Sequence, residues 1–275
     1  MKTLYVSDLD GTLLNSNTSL SEKTIRIINE LVEQGLEFTF ATARSINSAS
    51  LVSKGLHLRT PLIVYNGVHM LDPNDYSVLY AHAFQKEDAA HILQMFLDQG
   101  LYPFVYAYID GAERVSYVDH EFHEGALHYM NSRPDDRRFR CVKTVEQLLE
   151  GEVFYFTGIH DKAHLDRVYT PLEEEDAYVL LYHQELYREE YWLEILPSDV
   201  SKAKAVLRLK EMKGYDRVVS FGDAINDLPM FQISDECYAV ANAIDELKKD
   251  ASAVIGSNDE DAVALWLQEN ASITE

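Results

Sequence analysis

Two apolar segments near opposite ends of this chain run directly into carboxylates. Leu4-Tyr5-Val6-Ser7 leads into Asp8-Leu9-Asp10-Gly11, and Val218-Val219-Ser220-Phe221-Gly222 leads into Asp223. Short unbroken apolar runs of this kind suit strands covered on both faces, as in a parallel sheet. Ligands of open α/β sheets sit outside the carboxyl ends of the strands. The residues between the first strands agree with such a sheet. A Ser-x-x-Glu capping box at 19–22 opens a helix with Ile25, Ile28, Leu31 and Val32 on its inner face, and Gly35 ends it. A strand at 37–41, a helix at 46–54 stopped by Gly55 and a strand at 62–65 continue the alternation that crossover helices produce.

The pattern then changes. Residues 68–71 and 78–84 read as a hairpin around Asp72-Pro73-Asn74-Asp75, followed by a helix at 86–99. Residues 102–109 and 113–118 flank Asp110-Gly111, a strong antiparallel hairpin signal. Further strands are predicted at 153–159, 178–183 and 191–196, with helices at 120–130 and 162–169. After Ser201 the first alternation returns, with a helix at 202–212, a strand at 217–221 and three further helices interleaved with strands at 237–241 and 253–255. The chain therefore reads as one α/β domain, 1–83 and 189–275, split by an inserted α+β domain at 84–188 that carries an antiparallel sheet.

Composition narrows the function. Of 275 residues, 47% are hydrophobic and 25% charged, enough for a sizeable core, and the net charge is −22. So acidic a surface disfavours nucleic acid and anionic membranes as partners, because phosphate binding relies on clustered Lys and Arg. No apolar run approaches the ~20 residues that span a bilayer. The early Asp8 argues against a signal peptide, so Cys141 and Cys237 are expected as free, buried thiols in the cytoplasm. No feature of the sequence specifies an oligomeric state.

The chemistry lies in the acidic clusters. Asp8 and Asp10, two apart on an extended segment, can project to one side, one carboxylate acting as nucleophile and the other as proton shuttle. Gly11 allows a sharp turn after them. Asp223 and Asp227, four apart, can share a face of the turn entering the next helix. Together these carboxylates supply the hard oxygen ligands Mg²⁺ prefers, and a cation there would locally reverse the acidic field for an anionic substrate.

Four ordered motifs carry a resemblance: Asp8-Leu9-Asp10-Gly11-Thr12-Leu13, Ala41-Thr42-Ala43-Arg44, Ser201-Lys202 and Gly222-Asp223-Ala224-Ile225-Asn226-Asp227. Asn66-Gly67, Ala241-Asn242-Ala243 and Ser257-Asn258-Asp259-Glu260-Asp261 add to it. The sequence resembles the haloacid dehalogenase-like hydrolases, in the Cof-type sugar-phosphatase branch with a large inserted cap. The resemblance implies a Rossmann-like parallel-sheet core and an α+β cap that closes over a small phosphorylated metabolite. It implies Asp8 as nucleophile, forming an aspartyl-phosphate, and Asp10 as general acid and then base. Thr42 would bind a phosphate oxygen, and Lys202 would neutralise the nucleophile and the transferring group. Asp8, the Asp10 carbonyl and Asp223 would hold Mg²⁺, with Asn226 and Asp227 supporting the metal directly or through water. Arg44, Asn66, Gly67 and Asn242 would contact substrate, though the Asn and Arg positions equally suit turn or cap roles.

Ala43 and Ala203 stand where the family often has Gly, and Ser7 where an aromatic residue is usual. The nearby Lys204 competes with Lys202 for the lysine role; a helical turn of 3.6 residues lets only one face the site. A phosphomutase on the same scaffold, and a non-catalytic sensor of a phosphorylated ligand, are the alternatives. His120-Glu121-Phe122-His123-Glu124 and His128 lack His-Glu-x-x-His spacing and read as a solvated helix. The tyrosines of the middle region, Tyr102, Tyr106, Tyr108, Tyr117, Tyr155, Tyr178, Tyr182, Tyr187 and Tyr191, read mainly as strand formers.

Overall fold

The apolar run at the N-terminus forms β1 (Thr3–Ser7), buried along its whole length. α1 (Glu22–Glu33), β2 (Glu37–Phe40), α2 (Ile46–Val52) and β3 (Leu62–Val64) follow. β4 (His69–Leu71) and β5 (Val78–Ala81) form the hairpin around Asp72-Pro73-Asn74-Asp75. In the computed structural model, which describes residues 1–185 and 188–273, the segment Met1–Ala81 forms one unit with Val200–Glu275, and His82–Asp199 forms another.

The second unit contains α3 (Lys86–Leu97), β6 (Phe104–Ile109), β7 (Ala112–Val118), α4 (Glu124–Asn131), β8 (Phe139–Val142), β9 (Glu152–His160), α5 (Lys162–Glu175), β10 (Val179–Gln184) and β11 (Tyr191–Leu196). Its sheet runs in the order β10-β11-β9-β6-β7-β8, antiparallel except for the β7–β8 pair. Asp110 and Gly111 turn β6 into β7 with φ of 51° and 75°, the left-handed pair that matches strand twist in a two-residue hairpin. Phe96 of α3 and Leu165, Val168 and Leu172 of α5 pack with Val105, Phe156, Leu193 and Ile195 of the sheet in one core.

The first unit is completed by α6 (Lys202–Lys213), β12 (Arg217–Gly222), α7 (Leu228–Ile233), β13 (Glu236–Ala239), α8 (Asp245–Asp250), β14 (Ala253–Val254) and α9 (Ala262–Asn270). Its sheet is parallel throughout, in the order β14-β13-β12-β1-β2. Side chains alternate along β1. Leu4 and Val6 join Val206, Leu209, Val218 and Met230 in a core beneath α6 and α7. Tyr5 meets Trp266 of α9, with ring centroids 6.4 Å apart, and Phe221 meets the same ring at 5.1 Å. Cover on both faces is why these strands carry no polar alternation.

Several local expectations are corrected. β3 joins the parallel sheet only through an Ala41–Ile63 bridge and otherwise pairs antiparallel with β4. The chain reverses there because Tyr65, Asn66 and Gly67 all have positive φ. α1 is capped by Ser21, whose Oγ accepts the Thr24 N–H at 2.9 Å; Ser19 bonds to Asn15 Oδ1 instead. Ile27 and Ile28 are the buried isoleucines of α1, with Ile25 half-buried. Residues 120–123 precede α4, and His123 caps it.

β8 has no clear strand pattern in the sequence, because its four residues include Arg140 and lie between charged segments. Cys141 on this edge strand is exposed, whereas Cys237 is buried. The second unit continues past residue 188 because β11 pairs with both β9 and β10. Tyr187 lies outside the described residues.

His69 in β4 is 1% exposed, and burial lowers its pKa to about 3. The unfolded chain takes up a proton there near pH 6.5, while the folded chain does not. Stability therefore falls as pH drops through the unfolded value and goes on falling until about pH 3. Between pH 7.5 and 5.5 this group alone costs about 1.4 kcal/mol. Denaturant melts at the two pH values should show a His69→Gln variant losing less stability than the wild type by about that amount; an identical loss contradicts the assignment.

Candidate active site

The site grows from the end of β1. The Asp8 N–H donates to Phe221 O at 3.0 Å, tying the ends of β1 and β12 together. Beyond Asp8 the chain curls into a wide turn closed by Leu14 N donating to Leu9 O at 2.8 Å. Gly11 in this turn has a φ of 74°, and a Cβ added there would stand 2.3 Å from Asp223 Oδ2. Only glycine allows the loop to press against that carboxylate. Thr12 Oγ1 then donates to Asp223 Oδ1 at 2.8 Å. The two acidic loops thus meet, and ligand oxygens of Asp8, Asp223 and Asp227 lie within 4.8 Å of one another.

The cation among them is Lys202. Ser201 caps α6 by accepting the Lys204 N–H at 3.1 Å, which makes Lys202 the first residue of the helix. Its Nζ donates to Asp8 Oδ1 at 2.5 Å and Asp227 Oδ1 at 2.8 Å, with its side chain 1% exposed. Lys204 is exposed, which settles which lysine enters the pocket. The Asp227 Oδ2 accepts the backbone N–H groups of Asp223 and Ala224 at 3.0 and 3.2 Å. Asp227 therefore orients both Lys202 and the Asp223 backbone. Asn226 is half-buried on the 225–227 turn and makes no side-chain hydrogen bond among the described residues.

Charge is out of balance in this pocket. Burial pushes the Asp8 carboxyl well above the ordinary carboxylate range; Lys202 pulls it back, and Asp227 and Asp223 add like-charge repulsion. Burial also raises Asp223, to about 6, against the Thr12 hydrogen bond. Burial opposes the charge on Lys202, but Asp8 and Asp227 outweigh it and hold the ammonium above its usual range. Carboxylates converging on a single ammonium, all hard oxygen donors, fit a small divalent cation of the Mg²⁺ kind.

The remaining expected residues divide by position. Arg44 grips Asp10 in a two-point pair, Nε to Oδ2 at 2.7 Å and Nη2 to Oδ1 at 2.6 Å, and its Nη1 donates to Ser48. Thr42 is buried just past β2, where its Oγ1 accepts the Arg44 N–H at 3.1 Å. Asn66 is buried, and neither polar atom of its side chain has a partner among the described residues. Its N–H donates to Thr42 O at 2.9 Å, so the two residues share one corner. Gly67 serves packing: a Cβ there would stand 2.4 Å from Ser201 O, at the start of the helix that carries Lys202. Asn242 is exposed and works as a brace, donating to Gly11 O at 2.7 Å and accepting the Asn258 N–H at 3.1 Å. Thr12, the residue that joins the two loops, carries no sequence signal of that role beyond its place directly after Gly11.

A family model described as haloacid dehalogenase-like hydrolase matches residues 5–267. The chain belongs to that family. Among its relatives, 5-amino-6-(5-phospho-D-ribitylamino)uracil phosphatase YitU of Bacillus subtilis is 26% identical, over 98% of this chain and 98% of that protein. Pyridoxal phosphate phosphatase YbhA of Escherichia coli is 26% identical, over 94% of this chain and 95% of its own length. The crystal structure of TM0651 from Thermotoga maritima superposes with a TM-score of 0.80 at 28% identity, covering 99% of this chain and 98% of that one. This haloacid dehalogenase-like hydrolase is thus an enzyme whose relatives include named phosphatases.

The Gly11–Asp223 contact gives a direct test. Gly11→Ala must displace the Asp223 carboxylate without touching a catalytic functional group. We expect it to lower kcat/KM by about 100-fold or more, the cost of an ångström-scale misplacement, and to lower the melting temperature by a few degrees, because alanine is strained at this φ. Near-wild-type turnover shows the loop contact to be dispensable.

Proposed function

We propose that this enzyme is a Mg²⁺-dependent phosphatase that hydrolyses small phosphate monoesters, sugar phosphates or similar metabolites, through an aspartyl-phosphate on Asp8. The observation that carries this reading is the buried Lys202 ammonium set between Asp8 and Asp227, with Asp223 beside them. Asp8, Asp223 and the Asp10 carbonyl would hold the metal, and Asp227 would support it by orienting Asp223. When bound, Mg²⁺ neutralises charge on the phosphoryl group and draws its oxygens into position.

The chain's own residues do the rest. A carboxylate oxygen of Asp8 attacks phosphorus, and the bond from phosphorus to the leaving oxygen breaks. Asp10 delivers a proton to that oxygen, which requires one of its carboxylate oxygens to carry a proton and give up its bond to Arg44. Asp10 then takes a proton from water as that water attacks phosphorus, and the Asp8–phosphorus bond breaks to release inorganic phosphate and free Asp8. Lys202 keeps Asp8 aligned and offsets the charge that builds on the transferring group. Thr42 and the unpartnered amide of Asn66 are the neighbouring hydrogen-bonding groups for phosphate oxygens. The named substrates of the relatives, a phosphorylated ribitylamino-uracil and pyridoxal phosphate, support a compact phosphorylated metabolite as the substrate class.

Steady-state turnover of an aryl phosphate tests the proposal. Asp8→Asn should lower kcat by about 10⁴-fold or more, as loss of a nucleophile does. Excess chelator should silence the wild type, and added Mg²⁺ should restore it. In heavy-oxygen water the label should enter the released phosphate. Activity that persists in Asp8→Asn or in chelator removes the mechanism, and unlabelled product points to internal transfer by a mutase.

A further inference from the structure

Within the second unit, ligand atoms of His123, His160 and Asp161 lie within 4.8 Å of one another. They come from separate elements: His123 caps α4, His160 ends β9 and Asp161 caps α5. The rings of His123 and His160 have centroids 4.4 Å apart, as do those of His160 and His164.

Part of the cluster has a structural cause. Asp161 accepts the His164 N–H at 3.0 Å, the ordinary bond of a helix cap, and also contacts His164 Nδ1 at 2.8 Å. His160 is not explained this way. Its Nδ1 accepts the Asp161 N–H at 2.9 Å, which requires a lone pair on that nitrogen. The same Nδ1 faces Asp161 Oδ2 at 3.1 Å, so a ring nitrogen and a carboxylate oxygen stand at a spacing that one cation can bridge, at the expense of the Asp161 N–H bond. His123 Nδ1 is likewise an acceptor, of the Gly125 N–H at 3.1 Å.

We propose that His123, His160 and Asp161 form a second metal site, for a borderline divalent transition ion of the zinc class. Imidazole nitrogens favour such ions over Mg²⁺, which prefers oxygen. Two ligands each about 2.0–2.2 Å from a zinc ion stand about 3.0–3.5 Å apart, the separation found between His160 Nδ1 and Asp161 Oδ2. A cavity of about 60 Å³ adjoins the cluster, lined in part by His120, Glu121, His123 and His160, with room for water to complete the coordination. The ion joins the start of α4 to the β9–α5 corner, taking up the lone pair that His123 lends to Gly125. The 120–128 segment supplies one ligand of this site, and the others come from a distant corner that sequence spacing does not reveal.

Zinc titration calorimetry on the full chain in excess Mg²⁺ tests this, with cobalt absorption as a second reading. The wild type should bind one equivalent of zinc, and Co²⁺ in its place should give the intense visible bands of a low-coordinate site with nitrogen ligands. His160→Ala and His123→Gln should each weaken zinc binding by at least about 100-fold. Asp223→Asn should bind zinc as the wild type does. Far-ultraviolet circular dichroism checks that each variant is folded, and His123→Gln, a change before the first turn of α4, carries the test if His160→Ala is not. No zinc uptake by the wild type, uptake that survives a folded histidine variant, or uptake lost in Asp223→Asn overturns the proposal.

Discussion

The arrangement at the end of the first unit's sheet depends on one buried ammonium. Lys202 sits between Asp8 and Asp227 with almost no solvent contact, so each of the three charges is tolerable only while the others are in place. Buried ion pairs of this kind seldom add net stability, because desolvation offsets the attraction, and removing one partner leaves an unpaired charge that costs several kcal/mol. Its use is positional. The contact fixes a β1 carboxylate, an α6 lysine and a carboxylate following β12 relative to one another, and so couples three stretches of sequence that are far apart.

That coupling rests on close backbone approaches. The start of α6 comes against the Tyr65–Gly67 corner because Gly67 has no Cβ to strike Ser201 O. The Asp8 loop reaches Asp223 because Gly11 has none either. Both glycines adopt φ values that side chains avoid, so the geometry and the space requirement select the same residue. The sheet behind them is buried on both faces, which gives the loops a stiff platform; catalytic groups need placement to within a fraction of an ångström.

The strands were legible because an unbroken apolar run ending in an acid is rare and has a simple cause: two-sided burial and a ligand-facing edge. Asp8, Asp223, Asp227 and Lys202, expected together from motifs alone, do converge. What each side chain does there was less legible, since hydrogen-bond direction depends on tertiary placement. Asn242 could be guessed as a substrate contact from its motif, yet it braces the Gly11 carbonyl. Ser19 matched a capping box in spacing, but Ser21 stands next to the first helical residue and takes the bond. β8 is only four residues long and is interrupted by Arg140, too short a run to announce itself, and it is a strand through pairing with its neighbour β7. The histidine cluster is still less visible, because its members meet only after β9 and α4 are packed.

The acidic balance of the chain poses a last problem that the site geometry answers. With a formal charge of −22, the protein's field repels the anions it is proposed to bind. Among the described residues, Lys202 and Arg44 stand at the candidate site, and neither is at liberty to attract phosphate. Lys202 is shared by Asp8 and Asp227, and Arg44 is held by Asp10 through two hydrogen bonds. Attraction must therefore come from a further cation or from release of one of these pairs. A divalent ion against Asp8 and Asp223 meets the first need, and transfer of a proton to Asp10 meets the second by weakening its hold on Arg44. In the proposed reaction, the proton that Asp10 carries as acid would thus also loosen the guanidinium beside it.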